Sequence, residues 1–251
     1  MPTNRFLRSW ILPGGFFLIS LAIFVCFQSA YLDDSEALLT ARVLEADIPA
    51  SVELAQSNPG YRFAAQTLSL LTGDAETALI WLSHIAGAIG VALIALLGRL
   101  WFSARIGALA ATIILIAPLY FRHSIIANSA LPALVCALGS IALLSNRTQS
   151  RLPMLGSGLL LGWSIGIHLP YTLFWILAVG VYSFTRQNRK AIPNLVIGAF
   201  GGVATWFIPA ILSSDYSPST RQLILTLNPS SRLNELFSNW FVPLLLLLLL
   251  S

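Results

Sequence analysis

The topology of this chain depends on residues Pro153 to Phe184, PMLGSGLLLGWSIGIHLPYTLFWILAVGVYSF. The stretch is uncharged and can form one very tilted helix or two short ones. His168-Leu169-Pro170 interrupts it, and proline removes a backbone donor from any helix that crosses there. Two short helices place the flanking basic residues on one side of a membrane, as the positive-inside rule favours: Arg147, Arg151, Arg186, Arg189 and Lys190. We therefore predict that the chain turns back at His168–Pro170.

The composition is that of a membrane protein. Hydrophobic residues make up 57% of the chain and charged residues 10%, whereas a soluble domain carries about a quarter charged residues. The mean hydropathy is +0.80. The 14 basic residues exceed the 10 acidic ones but are scattered between apolar runs, so membrane orientation explains them better than a nucleic-acid partner does. Cys26 and Cys136 fall inside apolar runs and are interpreted as packing residues.

Apolar runs near the roughly 20 residues that a bilayer requires predict an all-α, polytopic bundle of about seven spans. The chain is treated as a single transmembrane domain over residues 1–251. A further run, Trp240–Leu250, is too short to count as a span. The predicted spans are Trp10–Ala30, Ala78–Leu97, Ile106–Phe121, Leu131–Leu144, Pro153–Ile167, Pro170–Phe184 and Ile192–Leu212.

The charges predict the orientation. With seven spans, the segments on one side carry nine basic residues and no acids, and all ten acids fall on the other side. The N-terminus is therefore expected in the cytoplasm, in a bacterial inner membrane, with long outer segments Tyr31–Thr77 and Ser213–Asn239. Membrane lipids are the expected surroundings.

Small residues predict which helices pack closely. Gly158, Gly162 and Gly166 recur on one face of the fifth span, and Gly198 and Gly202 recur in the seventh. Within lipid no hydrophobic drive brings helices together, so close backbone approach along such faces helps to hold a bundle.

An acidic motif follows the first span. Asp33, Asp34 and Glu36 precede an amphipathic segment, Ala37–Ile48, that is expected to lie as a helix along the outer interface. Asp33 and Glu36 can form a capping box at its start. Alternatively, a carboxylate fixed at the membrane surface can act as a general base or hold a metal ion. In that case Asp33 and Asp34 are the candidate catalytic residues, and Glu36 is a candidate for substrate binding.

Two further clusters are candidates for substrate binding. Arg122 and His123, followed by Asn128, lie between the third and fourth spans. They can bind an anionic headgroup or phosphate, although Arg122 can also extend towards lipid headgroups without binding a substrate. His168 lies at the helix break, where irregular backbone is tolerated only against protein or a water-filled cavity. A packing role for His168 remains open.

The order of these clusters resembles the GT-C superfamily of polyprenyl-phosphate-sugar-dependent glycosyltransferases, which includes protein O-mannosyltransferases and lipid A aminoarabinose transferases. The matching segments are Asp33-Asp34-Ser35-Glu36-Ala37, Arg122-His123-Ser124 leading to Asn128, and Gly166-Ile167-His168-Leu169-Pro170. The resemblance covers roughly Arg5 to Leu212 and corresponds to the N-terminal transmembrane module of such enzymes. It departs at Asn128, where the superfamily often has an acid.

The resemblance implies an inverting transfer from a polyprenyl-phosphate sugar. Asp33 or Asp34 is the implied base, which activates an acceptor hydroxyl or amine. Arg122 and His168 are implied to lie near the phosphate, and a divalent cation is a possible aid to its departure.

Two functions remain in competition. The first is a glycosyltransferase module that acts on the outer face. The second is a non-catalytic scaffold or accessory subunit packed against other membrane-protein subunits, which Asn128 and the glycine faces would suit. A small transporter is disfavoured, because no charged residue falls in the middle of a predicted span.

Overall fold

The computed structural model describes residues 3–27, 41, 58–145, 151–168, 172, 176 and 192–212. Within those ranges the chain is helical and has no β-strand, which confirms the predicted all-α class for this part of the chain. In chain order the helices are α1 (Thr3–Cys26), α2 (Pro59–Thr72), α3 (Ala75–Trp101), α4 (Ala104–Ile116), α5 (Pro118–Ile125), α6 (Ala130–Ser145), α7 (Arg151–Ile167) and α8 (Ile192–Leu212).

The described helices include one or two clear membrane spans. By length and hydropathy α3 can cross a bilayer alone, and α4 with α5 reaches the same criterion only as a bent pair. Shorter apolar helices cover Ile11–Cys26, Ala130–Ser145 and Ile192–Ile208. The number of seven spans therefore stays a prediction.

The span predicted over Ile106–Phe121 is not one continuous helix. The chain bends by 67° between α4 and α5. Ala117 has φ −65° and ψ 119°, an extended conformation, and Pro118 opens α5. A residue before proline avoids the helical region because of a clash with the proline ring, so the helix ends there and a new one begins.

The predicted outer segment Tyr31–Thr77 contains a helix that the sequence analysis did not anticipate. This helix, α2, starts with Pro59 and ends at Gly73, whose φ of 88° favours glycine and whose N–H donates to Ser69 O at 2.9 Å. Asp74 then caps α3 by accepting a hydrogen bond from the Thr77 N–H at 2.6 Å. As a result α3 starts at Ala75 and is 27 residues long.

Helix α3 lies at the centre of the described bundle. It packs against α1, α2, α4, α5 and α6, while α7 packs against α2, α6 and α8. The Trp101 indole N–H donates to Ser145 Oγ at 3.0 Å, so α3 and α6 finish at the same end of the bundle.

Helix α4 has its large side chains on the outside. Gly107 and Ala111 are buried, and a methyl group on Gly98 of α3 would lie 2.7 Å from the Cα of Gly107. The exposed residues form a helical stripe of large apolar side chains: Ile106, Leu109, Ile113 and Ile116. A water-soluble helix buries such a stripe, so this arrangement suits a helix that faces lipid.

Helix α7 runs antiparallel to α6 and parallel to α8. On the α6 side, Ser140 Oγ and Ser157 Oγ are 2.6 Å apart. On the α8 side, a methyl group added to Gly158 would lie 2.8 Å from the Ala199 nitrogen, and one added to Gly162 would lie 2.8 Å from the Val203 nitrogen. One turn further along, Gly166 faces the ring of Trp206. The close backbone approach predicted for these glycine faces is confirmed, and the structure shows that the two faces meet each other.

The parallel packing of α7 and α8 means that both helices start at the same end of the bundle. Helix α7 ends at Ile167, as predicted. Ser164 Oγ and Thr172 Oγ1 lie 2.7 Å apart, whereas eight residues of continuous helix would span about 12 Å. The helix is therefore interrupted at His168. The predicted second short helix, Pro170–Phe184, lies outside the described residues except for Thr172 and Ile176, which are helical.

Candidate functional site

The short helix α5 carries two of the predicted binding residues. Arg122 and His123 occupy its last turn, and both are exposed. Because Pro118 redirects the chain by 67°, this turn is presented at an angle to α4 instead of continuing its axis. The bend therefore places a guanidinium and an imidazole side by side at one end of the bundle.

Hydrogen bonds from side chains attach α5 to α3. The Tyr120 hydroxyl donates to Gly87 O on α3 at 2.7 Å. Ser124 is fully buried, and a methyl group on Gly87 would lie 2.8 Å from its Cβ. The missing side chain at Gly87 therefore lets α5 approach the surface of α3 closely.

Helix α5 ends at Ile125, yet three backbone carbonyls in its last turn accept hydrogen bonds. Arg122 O accepts from the Ile126 N–H at 3.1 Å. His123 O accepts from the Asn128 amide at 2.7 Å, and Ser124 O lies 2.8 Å from His84 Nδ1. The last four carbonyls of any helix lack partners within it, and the cost of leaving them unpaired is highest away from water.

Asn128 holds the connection between α5 and α6. It is 5% exposed, its amide also donates to Ile126 O at 3.1 Å, and its Oδ1 accepts from the Leu131 N–H at 3.0 Å. Its own N–H donates to Ser83 Oγ on α3 at 3.1 Å. These bonds give Asn128 a structural role, and its predicted contact with substrate stays a prediction.

His168 follows the last residue of α7 and is half-buried. Its N–H donates to Ser164 O at 3.0 Å, and its carbonyl accepts from the Thr172 hydroxyl at 2.8 Å. The backbone N–H and carbonyl of His168 therefore both have protein partners, as a position within a membrane requires.

The connection between α5 and α6 and the end of α7 share one buried cluster at one end of the bundle, which we call the site end. It comprises the connection Ile126–Ser129, the end of α7 at Ile167 and His168, and Tyr61 of α2. Tyr61 is fully buried and shares one hydrophobic cluster with Ala127 and Ile167. Gly60 lies beside Tyr61, and a methyl group on it would lie 2.7 Å from the backbone of Gly166. Helix α2 therefore packs directly against the end of α7.

The predicted catalytic acids Asp33 and Asp34, and the predicted binding residue Glu36, lie outside the described residues. The chain on either side of them is described at two points. The ring of Phe27 is 5.8 Å from that of Phe121 on α5. Ala41 is helical, is 4% exposed and belongs to the same cluster as Tyr61. Helical structure at Ala41 agrees with the predicted helix Ala37–Ile48 at that one position.

Sequence reasoning missed His84. It is fully buried on α3, and it bonds to the turn that carries Arg122 and His123. The available signal was a histidine inside a predicted span, in a chain with only 3 histidines. A polar side chain in the apolar interior needs a partner or a function.

Residues 56–211 match the family described as dolichyl-phosphate-mannose-protein mannosyltransferase. The match covers more than half of the chain. The chain belongs to this family. Its GT-C type confirms the predicted superfamily, and together with the apolar helices it indicates an integral membrane protein. The mannosyltransferase match includes Arg122, His123, Asn128 and His168 and begins after Asp33–Glu36. No curated protein and no solved structure matches the chain significantly.

The described part of this mannosyltransferase-family chain brings together no three His, Cys, Asp or Glu side chains that could hold a metal ion. Acidic residues are the expected ligands for a hard divalent cation, and the acidic motif lies outside that part. The possible divalent cation therefore stays a prediction.

Proposed function

We propose that this chain transfers a sugar from a polyprenyl-phosphate sugar to an acceptor on the non-cytoplasmic face of the membrane. The observation that carries the proposal is the convergence at the site end. Arg122 and His123 are presented by a short helix tied to α3, and Ala127 beside them shares a buried cluster with Ile167, the neighbour of His168. The family match supports sugar transfer as the chemistry.

The proposed roles follow from charge. Asp33 or Asp34 takes the proton of the acceptor hydroxyl or amine. The acceptor then attacks the anomeric carbon, the bond from that carbon to the phosphate oxygen breaks, and the lipid phosphate leaves with the electron pair. Arg122 binds the phosphate as its negative charge grows, assisted by His123 and His168. Glu36 is assigned to substrate binding next to the base. Asn128 is assigned to the same binding site, since it holds the connection between α5 and α6.

Chain connectivity supports a place for the acids near this end. A fully extended chain advances at most about 3.6 Å per residue, so Asp33 lies within about 22 Å of Phe27 and Glu36 within about 18 Å of Ala41. Phe27 contacts the α5 residue that precedes Arg122, and Ala41 belongs to the cluster around Tyr61. Both limits are compatible with carboxylates beside the proposed phosphate site.

The directions of the helices support a location of the proposed site on the outer face of the membrane. Because α7 and α8 pack in parallel, both helices start at the same end of the bundle. Arg151 is the first residue of α7, and Lys190 precedes the start of α8 in the sequence. The site end is the opposite end, at the finish of α7. The positive-inside rule then favours the cytoplasm for the basic end and the outer face for the site.

The test is a comparison of carboxylates. Purified full chain in liposomes is given dolichyl-phosphate mannose and a membrane-protein fraction as acceptor, and released dolichyl phosphate is measured. We expect Asp33→Asn with Asp34→Asn to lower the rate by about 10²-fold or more, since general-base catalysis contributes that much. Transfer rates measured with EDTA, and then with added Mg²⁺ or Mn²⁺, test whether the reaction requires a divalent cation.

Asp74→Asn is the matched control. Asp74 is a carboxylate of the same chain whose role is to cap α3, and asparagine caps a helix equally well. Its rate is expected to equal that of the unmodified chain. Unchanged transfer in the Asp33/Asp34 double variant would disprove the assigned base. The alternative of an accessory subunit is not favoured by the family match.

A further inference from the structure

His84 is a buried polar side chain that the proposed reaction does not use directly. It lies on α3 with no exposed surface, and its ring is 6.0 Å from that of Trp81 one turn earlier. Its Nδ1 is 2.8 Å from Ser124 O, 40 residues away in sequence. Within the described part of the chain its Nε2 has no hydrogen-bond partner.

The contacts assign a tautomer to this ring. A carbonyl oxygen can only accept a hydrogen bond, so Nδ1 carries the proton and donates to Ser124 O. An imidazolium would bury a second N–H at Nε2 together with a net charge, and both are costly without a partner. The ring is therefore neutral, with its proton on Nδ1.

We infer that His84 is a positioning residue that holds the last turn of α5, and with it Arg122 and His123, against α3. The catalytic consequence rests on the proposed function. The physical reason is the position of Ser124 O, which belongs to the same helical turn as Arg122 and His123 and lies in a dry interior. Without the imidazole that carbonyl would lose its long-range donor where no water replaces it, and the turn would shift to find another.

Two substitutions at His84 distinguish the effect of its Nδ1–H donor from the effect of its side-chain volume. Asparagine places an N–H at nearly the position of Nδ1, whereas leucine fills similar space without a donor. His84→Leu is therefore expected to raise the KM for dolichyl-phosphate mannose about fivefold, the loss expected for one unsatisfied buried carbonyl. His84→Asn is expected to restore the KM, and kcat is expected to change much less than KM in both variants.

A structural readout tests the inference without activity. The chain is labelled with ¹⁵N-histidine, placed in phospholipid nanodiscs and studied by NMR at neutral pH. Its 3 histidines give few signals, which are assigned by single substitution. We expect the His84 signals of an Nδ1–H tautomer. We also expect the His123 signals to move in His84→Leu and to return in His84→Asn.

Ser157→Ala is the control for general destabilisation. It removes a buried hydroxyl pair with Ser140 between α6 and α7, and it is expected to lower the unfolding temperature without moving the His123 signals or the KM. A proton on Nε2, or His123 signals that stay in place in His84→Leu, would overturn the inference. If the chain shows no transfer but the His123 signals follow the donor, the proposed function fails and the positioning role of His84 stands.

Discussion

The α7–α8 pair and the α3–α5 pair combine glycine contacts with hydrogen bonds in different proportions. Across α7 and α8 the Trp206 indole N–H donates to Gly162 O at 3.1 Å. Between α7 and α8 the backbones touch through glycines, and a methyl group on Gly162 would lie 2.9 Å from the Cα of Gly202. Between α3 and α5 the close glycine contacts are limited to Gly87 and Gly90. The Tyr120 hydroxyl bonds to Gly87 O, and His84 bonds to Ser124 O. Close packing suits two long helices, whereas a helix of eight residues has little surface to pack and needs directed bonds.

This difference bears on function. The glycine contact is continuous along α7 and α8. The helix α5 carries the exposed Arg122 and His123, and a few hydrogen bonds set its position. The position of the part that is proposed to bind phosphate is therefore expected to respond to single polar substitutions.

The largest expected effect tests the glycine contact. Gly162→Val should lower the free energy of unfolding by about 3 kcal/mol, because the new side chain overlaps the α8 backbone and the helices must separate. Reversible unfolding in detergent measures the loss. Gly201→Val on α8 is the control, since nothing lies within 4 Å of a methyl group there. Equal losses for the two variants would mean that close approach does not hold this pair.

The second prediction concerns the polar connection. Asn128→Ala should lower the free energy of unfolding by about 2 kcal/mol, because it removes the bond to the Leu131 N–H and leaves two carbonyls without a donor. Ser103→Ala, which loses one exposed bond at the start of α4, should cost about 1 kcal/mol or less.

Asn128→Asp sharpens this prediction. The carboxylate keeps the acceptor for Leu131 but faces His123 O and Ile126 O without a proton to donate. We expect a loss of stability at least as large as that for alanine and no increase in transfer rate. A more active Asn128→Asp chain would show instead that this position serves as an acid site.

The smallest expected effect concerns the bond between α5 and α3. Tyr120→Phe keeps the ring and removes the hydroxyl that donates to Gly87 O, so it should cost about 1 kcal/mol. Thr112→Val on α4 is the control, because its hydroxyl bonds only to Ala108 O within its own helix. A loss for Thr112→Val as large as that for Tyr120→Phe would remove the distinction between bonds within and between helices.

Part of the fold was predictable because its signals are local. Helix α8 has the predicted bounds, Ile192–Leu212, and α7 ends at the predicted Ile167. Hydropathy marks where a helix can lie in lipid, and a four-residue spacing of glycines marks a face that another helix can approach. The break before Pro118 had an equally local signal, but the search for long apolar runs passed over it.

The candidate site was predictable only in part. The sequence order of the clusters indicated Arg122, His123 and His168, and the structure brings their segments to the same end of the bundle. Helix α2 was missed because a search for long, strongly apolar runs passes over a helix of 14 residues with several polar side chains. His84 was missed because a single histidine in an apolar run does not reveal its partner.

The sequence by itself determined that the chain is a membrane helix bundle, that a helix is interrupted at His168 and which helix faces are lined by glycine. Only the tertiary structure decided how α5 is held, through pairs such as His84 with Ser124 O and Tyr120 with Gly87 O, which are 40 and 33 residues apart. The physical reason is that each acceptor is a backbone carbonyl. Every residue carries one, so no pattern of side chains marks which carbonyl a buried histidine or tyrosine will meet.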